Sequence, residues 1–332
     1  MESAVITFPI FGDGFMIDIP NYILIPGTEF KIYIYGLIIT AGFLLAGLYL
    51  LKRRNTFGLT QDNILDLIII AIPCGIVGAR LYYVVFNFND FFGAGKWLNI
   101  FMLREGGLAV YGGIILAAIA IIIYGRVKKI SFAKLADAGG MGLLIGQAIG
   151  RWGNFFNREA FGDITEVPWK MGLTTQLGTT YVHPAFLYES LWCAAGFVLL
   201  HFFSKKFKKY NGQLFLLYVA WYGFGRYFIE SIRADSLYLG DTYIRVSQLL
   251  AALSFIAAAV LLIRNHICGI RSADSPETDV SEECPADGPD ETTTEAIPEP
   301  ADIEESAEES EAITKSYEPD GEEQEELKNQ TE

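Results

Sequence analysis

Residues 150–162 read Gly-Arg-Trp-Gly-Asn-Phe-Phe-Asn-Arg-Glu-Ala-Phe-Gly. Two arginines, two asparagines and a glutamate thus follow directly on a glycine-rich apolar stretch. Ionisable groups at membrane depth are costly, so by default they mark a functional site. The planar guanidinium fork of arginine suits bidentate contact with phosphate. The chemistry this run points to is the gripping of an anionic lipid headgroup where a helix leaves the bilayer.

Other polar residues fall at the same predicted membrane level. Tyr35, Arg80, Glu105, Tyr111, Arg151, Asn154, His183, Arg226 and Glu230 lie near the outer ends of six different apolar segments. Each has an ordinary explanation when taken alone. Arg226 and Glu230 are spaced i, i+4 and can pair within one helix. Arg80 and Arg151 can snorkel to the interface. Tyr35 and Tyr111 can be interfacial aromatics. His183, just before Pro184, can simply begin a helix. Their convergence on one level is what argues for a site. The sequence has no Gly-x-Ser-x-Gly elbow, no His-Glu-x-x-His and no Walker motif, which argues against a serine hydrolase, a zincin or an ATPase. Direct transfer from a lipid to an acceptor fits better than a covalent enzyme intermediate.

Seven apolar segments must position these residues: approximately 32–51, 64–86, 107–124, 133–150, 184–203, 212–230 and 243–263. A span needs roughly 20 such residues. Lys52, Arg53 and Arg54 follow the first segment, and Arg126, Lys128 and Lys129 the third. Lys205, Lys206, Lys208 and Lys209 follow the fifth, and Arg264 and Arg271 the seventh. Every alternate loop is therefore basic, which predicts an external amino terminus and a cytoplasmic carboxyl terminus. The fourth segment contains Lys134, Asp137 and Gln147 and is weak by hydropathy. Its Gly142, Gly146 and Gly150 form a small-residue stripe suited to close helix packing, so it is expected at the centre of the bundle.

The fold class predicted is all-α, a polytopic membrane protein with seven transmembrane helices. Residues 1–30 are too polar to span and too apolar to be freely solvated, so an outer-surface interfacial segment is expected. Met1-Glu2 has no basic region ahead of an apolar run, and no secretory signal is expected. Residues 31–271 form the membrane domain. Residues 272–332 hold 23 acidic and 2 basic residues, a net charge of −21, whereas the rest of the chain carries +7. That acidic tail lacks the apolar content to form a core and is predicted to be disordered. Cys74, Cys193, Cys268 and Cys284 are scattered and form no C-x-x-C pair. No metal, disulfide framework, cofactor or nucleic-acid partner is expected. On the residues alone, a transporter or flippase for an anionic lipid remains open, as does a scaffold that recruits partners through its tail. The absence of an obvious internal repeat speaks against the transporter.

The run at 150–162 resembles the signature of the bacterial prolipoprotein diacylglyceryl transferases, G-R-x-G-N-x-x-N-x-E-x-x-G. Further patches agree in family order between roughly residues 30 and 265. They include Tyr35-Gly36, Gly78-Ala79-Arg80, Glu105-Gly106-Gly107, Gly112-Gly113, His183-Pro184, Leu187-Tyr188-Glu189, Arg226-Tyr227-Phe228-Ile229-Glu230, Arg233 and Asp235. The resemblance implies transfer of the diacylglyceryl group of phosphatidylglycerol to the lipobox cysteine thiol of a preprolipoprotein. A thioether forms and glycerol-1-phosphate leaves, on the outer side of the plasma membrane. It also implies roles. Arg151, Asn154, Glu159, Gly162 and Arg80 would bind substrate, and Arg226, Glu230, Tyr35, Tyr111 and His183 would serve the chemistry. Many family members have His-Gly-Gly where this chain has Tyr111-Gly112-Gly113. Tyrosine, with a reference pKa of about 10, is a poor base at neutral pH. Glu230, Glu159 and His183 then remain as candidate proton acceptors.

Overall fold

The computed structural model describes residues 5–270, apart from 13–14, 29, 94–96, 103–105, 177, 235, 239–241 and 243. The acidic tail, Glu105 and Asp235 therefore lie outside the described residues. The described residues belong to one compact unit, 1–276.

Four short strands open the chain: β1 (Val5–Thr7), β2 (Met16–Ile17), β3 (Tyr22–Leu24) and β4 (Lys31–Tyr33). Then come the helices α1 (Ile34–Phe57), α2 (Gln61–Phe86), α3 (Val110–Val127) and α4 (Phe132–Asn157). Strands β5 (Met171–Thr175) and β6 (Gly178–Val182) precede α5 (Ala185–Lys206), α6 (Gln213–Ser231) and α7 (Val246–Ile267). Helices α1, α2, α3, α5 and α7 are long and apolar enough to cross a membrane. They leave Leu44, Ile69, Val85 and Ile263 more than half exposed, a surface suited to lipid and not to water. The molecule is a multi-pass, largely helical membrane protein.

Local signals set the helix ends. Gly58 adopts φ 63°, and its N–H and that of Leu59 return to the carbonyls of Asn55 and Arg54, closing α1 in a Schellman-type reversal. Thr60 and Asn63 then exchange side chain-to-backbone hydrogen bonds of 3.0 and 3.2 Å, a capping box that starts α2.

Helix α4 is central, and its polar residues have structural partners. The Asp137 side chain is fully buried. Its carboxylate accepts the backbone N–H groups of Gly212 and Phe215, both at 2.9 Å, and so caps the start of α6 from a neighbouring helix. Lys208 pairs with the same carboxylate at 3.0 Å and donates to the Thr56 carbonyl at 3.1 Å. That cluster ties α1, α4 and α6 together at one end. The glycine stripe faces α1. A Cβ at Gly150 would lie 3.2 Å from Ile39, and one at Gly153 would lie 2.6 Å from the Tyr35 ring.

A four-stranded antiparallel sheet, ordered β2-β1-β5-β6, adds a feature absent from the sequence expectation. The amino-terminal segment is therefore more than an interfacial stretch. Ile6 pairs with Leu173 in the adjoining strand and is 2% exposed. Ile6, Leu173, Met171 and Val182 pack on Phe155 of α4 and Phe186 of α5. The sheet thereby braces the two helix ends that carry the polar cluster. Strands of two to five residues show no readable alternation. The β1–β5 pairing also spans more than 160 residues, so no local signal announces it.

Candidate active site

The signature run begins in the last two turns of α4. Arg158 (φ 54°) ends the helix, with its N–H on the Phe155 carbonyl and that of Glu159 on Asn154. The reversal leaves Arg151 and Asn154 on the helix and Glu159 just beyond it.

Glu189, near the start of α5, is the hub. Its Oε1 accepts from Arg151 Nη2 at 2.5 Å and from the Tyr222 hydroxyl at 3.1 Å. Its Oε2 accepts from Arg226 Nη1 at 2.8 Å. Arg226 also pairs with Glu230 at 2.6 Å, and Arg233 lies 4.0 Å from the same carboxylate. On the other flank, Arg151 reaches Asn154 at 3.5 Å. Glu159 accepts from Asn154 at 3.1 Å and from Asn157 at 3.3 Å. The result is a continuous polar row from Glu159 to Arg233 across α4, α5 and α6. The Glu189 and Glu230 side chains are 3% and 2% exposed, whereas Arg151 and Arg226 keep 21% and 14%. Two buried carboxylates thus hold two arginines whose outer faces remain reachable. Removing one partner would leave an uncompensated charge in a medium that penalises it.

The packing of α5 on α6 sets this geometry. Trp192 and Trp221 stack with centroids 4.2 Å apart and planes at 12°. Gly196 and Gly225 make room for them, since a Cβ at either position would fall within 2.3 Å of the facing indole nitrogen.

The remaining predicted residues divide. Tyr35 lies against Gly153, the residue that precedes Asn154. Gly162 is a packing position: a Cβ there would meet His183 Cβ at 2.6 Å and the Ile232 carbonyl at 2.7 Å. Its N–H donates to the His183 carbonyl at 2.9 Å, so it stitches the signature to the entry of α5 and the exit of α6. His183 Nδ1 lies 3.2 Å from the Tyr188 hydroxyl, which accepts from Trp169 at 2.7 Å. Arg80 is committed elsewhere. It is 6% exposed and donates to the carbonyls of Ile100, Gly106, Gly107 and Asn99 at 2.5–3.1 Å. That makes it the organiser of the α2–α3 connection and leaves little of the fork for a headgroup. Tyr111 is 57% exposed at the start of α3. Gly112 and Gly113 press against the Gly78 and Gly75 carbonyls of α2.

Sequence reasoning passed over Glu189 and Tyr222 as site residues. A signal was present. Glu189 is the sole carboxylate within 185–206, and a lone carboxylate in an apolar helix calls for a cationic partner. The arrangement as a whole can bind a phosphate between two arginines and stabilise negative charge that develops on it. Among the described residues no cluster of His, Cys, Asp and Glu is arranged to hold a metal ion.

Residues 22–264 match the family model described as "Prolipoprotein diacylglyceryl transferase". Three similar relatives carry the name phosphatidylglycerol--prolipoprotein diacylglyceryl transferase. The one from Clostridioides difficile (strain 630) is 42% identical over 226 residues, covering 68% of this chain and 88% of the relative. That from Oceanobacillus iheyensis is 40% identical over 258 residues, 74% and 88% of the two chains. That from Listeria innocua serovar 6a is 42% identical over 241 residues, 70% and 85%.

Proposed function

Because this chain belongs to the prolipoprotein diacylglyceryl transferase family, we propose that it moves the diacylglyceryl group of phosphatidylglycerol onto a prolipoprotein cysteine thiol. The observation that carries the reading is the clasp of Arg151 and Arg226, from separate helices, on the single carboxylate of Glu189. The reactive face lies outside the plasma membrane. Helices α4 and α6, whose polar residues are occupied within the bundle, join the five apolar helices as a seven-span domain with its amino terminus outside.

In this reading the phosphate of phosphatidylglycerol enters against the exposed faces of Arg151 and Arg226. The cysteine sulfur attacks the glyceryl carbon in line with the phosphate oxygen. The C–O bond breaks as the C–S bond forms. Glycerol-1-phosphate departs with the electron pair, its added charge met by Arg226 and Arg151. Glu189, itself held by the Tyr222 hydroxyl, keeps the guanidinium groups in place before substrate arrives, so little reorganisation accompanies the reaction. Glu189 and Glu230 are each already neutralised by arginine. Glu159 is held by two neutral amides and is open to solvent, and it is the group assigned to take the thiol proton. The lipobox segment of the acceptor runs past this open side. The acidic tail beyond residue 271 is cytoplasmic and takes no part in the transfer.

The test is incubation of the purified chain in vesicles with labelled phosphatidylglycerol and a lipobox peptide. A thioether-linked diacylglyceryl peptide is the expected product, formed by wild type and abolished in Arg151→Ala. Movement of label between leaflets without product would replace this reading with lipid transport. Neither the geometry nor the relatives favour that alternative.

A further inference from the structure

The turn between α3 and α4 encloses a groove that the transfer reaction does not use. It has a volume of about 630 Å³ and is lined by Ile122, Gly125, Arg126, Lys129, Ile130, Ser131 and Phe132. That size falls within the range of small-molecule sites. Gly125 forms its floor: the Ile130 N–H folds back onto the Gly125 carbonyl at 2.8 Å, and a Cβ there would meet Leu135 at 2.9 Å. Ile122 and Phe132 give it apolar walls, and Phe132 is 52% exposed.

Basic residues at this end of the bundle differ in whether a carboxylate neutralises them. Lys128 pairs with Asp66 at 3.4 Å, and Lys208 pairs with Asp137 at 3.0 Å. Arg126 and Lys129 flank the groove, are exposed, and have no ion-pair partner among the described residues. Two unneutralised cations beside an apolar cleft are complementary to a molecule with an anionic head and a hydrocarbon tail. Ser131, beside the groove, lies 20 residues before Arg151 on α4. That is about 30 Å of helix, close to the hydrocarbon thickness of a bilayer. The groove therefore faces the leaflet opposite the arginine–glutamate row.

We propose that this groove is a second lipid site, which takes an anionic phospholipid of the opposite leaflet. The phosphate lies between Arg126 and Lys129, and an acyl chain runs along Ile122 and Phe132. The site is independent of the transferase reading, since it uses none of the row from Glu159 to Arg233.

Photoactivatable phosphatidylglycerol, with its zwitterionic phosphatidylcholine counterpart as comparison, tests this on the full chain in vesicles. Cross-linked peptides are mapped by mass spectrometry. Wild type is expected to carry the anionic label within residues 122–132, at least about tenfold above the zwitterionic one, since each basic residue near a lipid surface contributes roughly a five-fold factor. Arg126→Gln/Lys129→Gln should lower that label roughly 30-fold and leave label at the Arg151 end unchanged, which also reports that the variant is folded. Lys52→Gln/Lys206→Gln removes two charges elsewhere at the same end and should leave the groove label intact. Equal loss in the two double variants, or equal labelling by both lipids in wild type, overturns the proposal. Displacement of the label by millimolar glycerol phosphate overturns it too, because the groove would then be a site for a free anion. If the double variant misfolds, the wild-type comparison of the two lipids still decides.

Discussion

Trp192 and Trp221 each donate the indole N–H to the other's backbone carbonyl, both at 2.9 Å. This reciprocal pair joins α5 to α6 between helices that supply Glu189 on one side and Tyr222 and Arg226 on the other. Trp221 immediately precedes Tyr222, and Trp192 lies three residues after Glu189, so the lock fixes the spacing of the clasp. Trp221→Phe keeps an aromatic ring but removes the hydrogen bond to the Trp192 carbonyl, which retains only its intrahelical donor. Losing one such bond costs about 0.5–1.5 kcal/mol. The expected result is a lower unfolding temperature in detergent together with reduced transfer. Gly225→Ala should do more damage, because its Cβ would overlap the Trp192 indole. Wild-type stability in Gly225→Ala would mean the two helices are free to shift.

Glu189 is expected to act as a positioning residue, holding both arginines for the phosphate. Glu189→Gln retains shape but cannot neutralise two guanidinium groups. Misplacement of reacting groups by about 1 Å can lower a rate on the order of 10²-fold, so turnover should fall by that order while the protein still inserts. Arg151→Ala and Arg226→Ala should each lose about 10²–10³-fold, typical of removing one donor to developing charge. Lysine at either position should restore only part, since it lacks the planar fork. Steady-state kinetics on all five variants check this. A Glu189→Gln enzyme as fast as wild type would leave the clasp without a catalytic purpose.

The row from Glu159 to Glu230 illustrates how far sequence carries. Arg151, Asn154, Glu159, Arg226 and Glu230 stand out in sequence because polar groups are rare in apolar segments, and the structure brings these five together. The fourth helix is legible for a different reason: its glycine stripe announces close packing even though Asp137 and Lys134 spoil its hydropathy. Arg80 shows the limit. Its rarity in an apolar helix is visible, but its partners are backbone carbonyls of a loop more than 18 residues away, and carbonyls leave no trace in a sequence. Glu189 was legible as an isolated carboxylate, yet only the crossing of α4, α5 and α6 reveals that one carboxylate serves two arginines. The sheet that braces these helix ends was not legible, because its pairing is entirely non-local.

Tyr111 and Gly112, adjacent in sequence, separate two roles. A Cβ at Gly112 would lie 2.2 Å from Tyr82 Cβ and 2.3 Å from the Gly78 carbonyl, so Gly112→Ala should pry α3 from α2 and lower thermal stability. The Tyr111 side chain is outward and has no hydrogen-bond partner among the described residues. Its hydroxyl is thus available to a bound substrate. Loss of one such bond is worth roughly 1 kcal/mol, so Tyr111→Phe should slow transfer about fivefold at unchanged stability. Tyr111→His, which restores a polar group, should retain activity. Identical rates in Tyr111→Phe and wild type would reduce the residue to a lipid-facing aromatic.

Glu159 is expected to accept the thiol proton, and pH separates that role from simple binding. A free cysteine thiol has a reference pKa of about 8.5. At neutral pH only a few per cent is thiolate, so a nearby carboxylate that removes the proton during attack contributes to the rate. Glu159→Gln keeps the hydrogen-bonding shape but cannot take the proton. Its rate at pH 7 should fall on the order of 10²-fold, the lower range of general-base contributions. Raising the pH through the thiol range ionises the nucleophile in solution, so the variant should recover steeply between about pH 7.5 and 9.5. Wild type, with its own acceptor, should change less over the same interval. The measurement is kcat/KM for the peptide across that range, with the Arg151→Ala enzyme as a control that high pH should not rescue. A Glu159→Gln enzyme that stays equally impaired at every pH would assign the carboxylate to holding Asn154 and Asn157 in place, and the proton would have to leave by another group.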